Sequence, residues 1–258
     1  MRVQLFYVFA TTLVIVWTST FADAARRGQP MYKFEIFGST STRFPRFIRE
    51  NGINRNLTEF TLCMWLKVSS LVSSTEYPFS YATQRFHNEL LTFLESTDDG
   101  HPSVGMFIND VSHKFAIVCP TFSLGDWHRV CYAWRSVDGF AMIVVDPDKD
   151  PCEVTMTDFA KGKMIQLGGT ISLGQEQTFP GGGFTLDQSF DGEYTEVQMF
   201  SEILDTEQIF RISTCLSCEV DRSYNYEEQE IRGDIIDWMN HGFVGYDGGV
   251  ISGTNVCR

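Results

Sequence analysis

The sequence predicts an all-β, two-sheet antiparallel sandwich carrying one short helix. Three observations lead there: apolar residues alternate with period two through many short runs, turn signals separate those runs, and only one segment has helical signals. Runs at roughly 8 to 12 residue spacing with punctuating turns are the pattern of a sandwich or barrel.

The clearest run is 60–68, in which Phe60, Leu62, Met64, Leu66 and Val68 share one face. Similar runs follow at 89–94, 114–118, 127–135, 140–146, 164–173 and 194–200. Between them lie Asp99-Gly100, Gly125-Asp126, Asp138-Gly139 and Asp146-Pro147, dipeptides that favour turns. The helix is predicted at Asp205-Thr206-Glu207-Gln208, which resembles a capping box, with Ile209, Phe210 and Ile212 on its apolar side. No repeat or linker divides the chain, so its 258 residues read as one domain after a leader.

The leader is read at residues 1–24. Met1-Arg2 is basic, an apolar stretch runs from Leu5 to Val16, and Ala22-Asp23-Ala24 offers a small-residue cleavage pattern. Such a stretch is shorter than the roughly 20 apolar residues that a membrane span needs, and no later segment reaches that length. The expectation is a secreted, extracellular domain over 25–258, in which Asn56-Leu57-Thr58 is an N-glycosylation acceptor.

Composition narrows the function. Apolar residues make up 43% and charged ones 21%, enough for a sizeable core. Twenty Lys and Arg stand against 33 Asp and Glu, a net charge of -13 that disfavours binding to nucleic acid and favours cations. No HExxH, G-x-S-x-G or P-loop is present. The nearest carboxylate pair for glycoside hydrolysis is Glu193 and Glu196, which point to opposite faces of a strand unless a bulge intervenes. The reading is therefore a binding protein and not an enzyme.

Four motifs in order carry a family resemblance. Ser80-Tyr81-Ala82-Thr83 followed by Asn88-Glu89-Leu90-Leu91 is similar to the pentraxin "SYAT…DNE" segment. Residues Trp127 to Ser136 resemble the pentraxin signature H-x-C-x-[ST]-W-x-[ST], with Arg129 where the family has His and Ala133 where it has Ser or Thr. Leu173 to Gln177, Gly181-Gly182 and Phe184 to Ser189 resemble the family's calcium loop, and Gly192-Glu193, Val197, Met199, Phe200, the capped helix and Trp238 follow in pentraxin order. The resemblance spans about residues 33–257, and the cysteine set looks most like that of arthropod, horseshoe-crab C-reactive pentraxins.

The resemblance implies a lectin-like jelly roll assembled into homo-oligomeric rings. It implies a disulfide between Cys63 and Cys131, and the arthropod pattern suggests Cys119 with Cys152 and Cys215 with Cys257; spacing alone does not fix the connectivity. Cys218 is left over, and a link between subunits is its expected use. The resemblance also implies calcium, held by Asn88, Glu176, Gln177 through its backbone carbonyl, and Gln188. Three family carboxylate positions are His87, Thr178 and Thr185 here, so of four carboxylates only Glu176 survives. Imidazole is a poor ligand for so hard an ion. The expectation is a reduced site, with Asp187 or Asp191 near enough to compensate. Phe93 and Asp110 match the apolar wall and the acid that receive choline in phosphocholine-binding pentraxins. The implied ligands are phosphocholine-like groups or polysaccharides on microbial or damaged-cell surfaces. The competing reading is a structural or interaction jelly roll that has lost ligand binding.

Overall fold

The computed structural model describes residues 32–71, 74–98, 100–110, 114–213 and 231–254. The strands are β1 (Tyr32–Ile36), β2 (Arg46–Arg49), β3 (Glu59–Val68), β4 (Thr75–Glu76) and β5 (Phe79–Ala82). They continue as β6 (Leu90–Glu95), β7 (Ser103–Ile108), β8 (Phe115–Val118), β9 (Trp127–Arg135) and β10 (Phe140–Val145). The last are β11 (Cys152–Met156), β12 (Thr170–Leu173), β13 (Gly192–Phe200), β14 (Val244–Tyr246) and β15 (Val250–Gly253). Among the described residues one α-helix, α1 (Thr206–Ser213), follows β13.

All pairings are antiparallel. One sheet runs β11-β10-β9-β3-β13-β1-β15 and the other β14-β2-β12-β5-β6-β7-β8, with β4 pairing β6 outside that order. The core lies between them because β3 turns Phe60, Leu62, Met64, Leu66 and Val68 inward, each fully buried, as the alternation predicted. Facing them, Phe79 and Tyr81 of β5, Leu90 and Leu94 of β6, and Val104, Met106 and Ile108 of β7 complete one continuous cluster.

The outer face of β3 and β9 is buried too. There Cys63, Cys131, Ala133, Met142 and Val144 pack under Phe200, Leu204 and Ile209. The capping box of α1 is reciprocal: Gln208 N–H donates to Asp205 Oδ1 at 2.8 Å and Asp205 N–H donates to Gln208 Oε1 at 2.9 Å. Ile209 is buried and Ile212 partly so, whereas Phe210 is 45% exposed, which corrects its expected place on the apolar side.

Two further expectations are corrected. The run 164–173 is strand only from Thr170, because Gly168 has φ +82° and Gly169 lies against the Ala82 carbonyl and the Tyr81 ring. And β13 does contain a bulge: its register with β3 shifts between Thr195 and Gln198, and Glu196 has φ 49°. Glu193 is held by Lys33 and Lys67 while Glu196 lies 3.8 Å from Arg129, so each carboxylate faces its own cation.

Candidate functional site

The candidate site is assembled from two distant loops at the end of the β5-β6-β7 sheet. The first is the turn before β6. Asp110 N–H donates to the Asn88 carbonyl at 3.2 Å, and Asn109 N–H to the Glu89 carbonyl at 3.1 Å. Asn109 and Asp110 take φ 49° and 53°, a left-handed pair that these residue types tolerate and that folds the end of β7 back beside Asn88. His87 Nε2 stands 3.5 Å from Asp110 Oδ1.

Glu89 binds this corner together. Fully buried, its carboxylate accepts from Thr83 Oγ1 at 2.8 Å, Asn109 Nδ2 at 3.2 Å and Gln166 N–H at 2.5 Å. Burial raises its pKa and those donors oppose the rise. The residue sits inside the Asn-Glu motif, yet only the fold shows that it joins three segments.

The second loop runs 174–190. Phe190 N–H returns to the Gly174 carbonyl at 2.9 Å, closing its base. Gln175 is locked by Pro45 and Ser189, and Gln177 donates to the carbonyls of Ser80 at 3.0 Å and Thr170 at 3.1 Å while its Oε1 accepts from Gly181 N–H at 2.7 Å. The Gln177 side chain is thus spent on the scaffold, which leaves its backbone carbonyl as the atom to offer a ligand. Thr178 Oγ1 donates to the Gly183 carbonyl and Thr185 Oγ1 to Gln188 Oε1, so both threonines that replace family carboxylates are turned to loop structure.

Glu176 is 2% exposed, and its Oε2 has no hydrogen-bond partner; Asn88 Oδ1 is buried and equally unpartnered. Burial first, then the charges of Asp110 and Asp187, push the Glu176 carboxyl up to about 7. Two loops therefore present unpaired buried acceptors in an acidic environment, the condition that a bound cation relieves. Among the described residues no three His, Cys, Asp or Glu side chains stand together closely enough to hold a metal, so amide and carbonyl oxygens must supply part of any shell.

Phe93 lies on the outer face of β6, but it is 1% exposed. Phe107 packs on it at 5.0 Å and Lys114 Nζ lies 5.6 Å above its ring, paired with Glu95. Opposite, Gly105 leaves the space that the ring occupies. A cation from the protein itself already covers this aromatic face, while Asp110 lies beside His87.

Cys63 and Cys131, directly opposed on β3 and β9, are disulfide-bonded, as are Cys119 and Cys152. Cys215, Cys218 and Cys257 lie outside the described residues. Asn56 is exposed, its Oδ1 accepting from Leu167 N–H at 3.0 Å.

Two antiparallel sheets, one of them tied by the Cys63–Cys131 disulfide, define the class as a lectin-like jelly roll. The sequence profile of the Pentaxin family matches residues 33–252, and the chain belongs to that family. It is similar to C-reactive protein 1.4 of Limulus polyphemus, 34% identical over 96% of each chain. It is also similar to mouse neuronal pentraxin-2, 30% identical over 85% of this chain and 43% of that one. The crystal structure of a native heptameric SAP-like pentraxin from Limulus polyphemus superposes with a TM-score of 0.73, at 31% identity, covering 88% of this chain and 97% of that one. These relatives are binding proteins and not enzymes, as is this chain. Among the described residues no helix is long and apolar enough to cross a membrane.

Proposed function

We propose that this protein is a secreted pattern-recognition pentraxin that binds surface ligands bearing an anionic group, phosphocholine-like or polysaccharide, through a calcium site reduced to one ion. The observation that carries the reading is the pair of buried, unpartnered acceptors, Asn88 Oδ1 and Glu176 Oε2, contributed by two separate loops. Calcium takes six to eight oxygens and tolerates irregular geometry, which suits these two atoms with the Gln177 carbonyl and water; Gln188, whose Oε1 accepts from Thr185, shapes the loop from behind. Bound there, calcium supplies positive charge in an acidic protein, without which phosphate or uronate is repelled.

Recognition follows from the ion and from number. Each site is weak, and a homo-oligomeric ring multiplies weak contacts into avidity; the heptameric horseshoe-crab relative supports this assembly. Residues 1–24 act as the secretion signal, Asn56 carries a glycan, Cys215 pairs with Cys257, and Cys218 links subunits. With Lys114 over Phe93, choline discrimination is weak and the phosphate or acidic sugar carries the affinity.

Binding of the purified protein to phosphocholine, phosphoethanolamine and acidic polysaccharide resins, with and without chelator, tests the reading. Retention that chelator abolishes supports it. The second reading, a structural jelly roll without ligand binding, is favoured by the internal bonding of Thr178 and Thr185, and predicts no retention on any resin.

A further inference from the structure

We infer that Asp110, a residue at none of the family's calcium positions, is the second carboxylate of the cation site, replacing charge lost at His87, Thr178 and Thr185. The inference rests on the one-ion reading above and assigns to the ion a residue that the family resemblance places in the choline pocket.

Three observations converge. The left-handed turn at Asn109-Asp110 and the Asp110 N–H bond to the Asn88 carbonyl fix Asp110 against the loop that offers Asn88 Oδ1. The second loop is tied to the same corner through β5: Gln177, next to Glu176, donates to the Ser80 carbonyl at 3.0 Å, and Thr83, just past the strand, donates to Glu89, next to Asn88, at 2.8 Å. And Glu176 Oε2, 98% buried by residue and without a partner, completes a convergence that hydrogen bonding within the protein does not explain. The remaining neighbours fit the same role. Asp110 Oδ1 lies 3.5 Å from Nε2 of the half-exposed His87 imidazole, and Glu89 accepts from Asn109 Nδ2, which fixes the turn. Two carboxylates and an amide oxygen match a site of reduced affinity, since calcium binding scales with ligand charge.

Calcium titration of the full-length protein by calorimetry, with no ligand present, is the test. Wild type, Asp110→Asn, Glu176→Gln and Glu153→Gln, an exposed carboxylate on β11, are compared. Asn keeps the positive φ, and Asp110→Gly provides a second variant that keeps it without any side-chain oxygen. The expected result is a loss of affinity on the order of tenfold or more in both Asp110 variants, with Glu153→Gln unchanged. Wild-type affinity in the Asp110 variants alongside abolished binding in Glu176→Gln overturns the role of Asp110 and leaves the one-ion reading standing. Loss of phosphocholine binding in Asp110→Asn with calcium affinity intact likewise overturns it, by returning Asp110 to the choline pocket. Absence of binding heat in wild type overturns the one-ion reading and this assignment together.

Discussion

Substituting Glu176→Gln removes a pH-dependent penalty from the metal-free protein. In the folded state the Glu176 carboxyl is raised from 4.5 to about 7, chiefly by burial. Because the folded value lies above the unfolded one, ionisation costs folding energy: the penalty is absent below about pH 4.5 and complete above about pH 7. A rise of that size corresponds to roughly 3 kcal/mol, which solvent screening at the loop reduces to on the order of 2 kcal/mol. For a domain of this length that is a melting-temperature difference of roughly 4–8 °C. Thermal melts in chelator, at pH 5 and pH 8, are the assay. Glu176→Gln should melt close to wild type at pH 5 and above it at pH 8. A difference between the two proteins that is the same at both pH values rules out an ionisation penalty at Glu176, because Gln then acts through packing alone.

Opening the Cys63–Cys131 bridge as Cys63→Ala/Cys131→Ala frees a 68-residue loop in the unfolded state, and by loop-closure entropy costs about 4 kcal/mol; equilibrium urea unfolding measures it. Arg129→Met combined with Glu196→Gln, which removes both charges of the pair, should be neutral or stabilising by about 1–3 kcal/mol in the same measurement, since Arg129 is fully buried with Nε and Nη2 unpartnered and burial pulls its pKa down to about 10. A loss above about 2 kcal/mol would show that the Glu196 carbonyl and carboxylate fully compensate the guanidinium. Gly105→Ala places a Cβ 2.2 Å from Phe93 Cζ and 2.8 Å from Ala116 Cβ, so it should cost about 1–3 kcal/mol and shift the Phe93 ring resonances in an NMR spectrum.

Much of this fold was legible because its long central strands obey local rules. The alternation of 60–68 became β3, 127–135 became β9, and the Asp205–Gln208 box closed as its sequence suggested. The short edge strands were not legible: Val244, Tyr246, Val250 and Ile251 of β14 and β15 are exposed, so no burial pattern marks them. The bulge at Glu196 left no signal either, since it depends on the register of β13 against β3. At the site, the identities of Asn88, Glu176 and Gln177 could be read in one dimension, but the neighbourhood of Asp110 and Glu176 could not. Residues so far apart share one end of the sandwich because β6 and β7 carry Asp110 to the turn beside Asn88, while Gln177 ties the 174–190 loop to β5. Phe93 shows the reverse case, a recognisable position whose environment, under Lys114, sequence order did not disclose.

Recognition through a single cation site built on Glu176 and Asn88 requires that each subunit hold one ion. Equilibrium dialysis of the purified full-length protein against radioactive calcium measures it directly, as ions bound per subunit at saturation. One ion per subunit, abolished by Glu176→Gln, is the expected result. Two ions per subunit, none, or one ion that survives Glu176→Gln would contradict it.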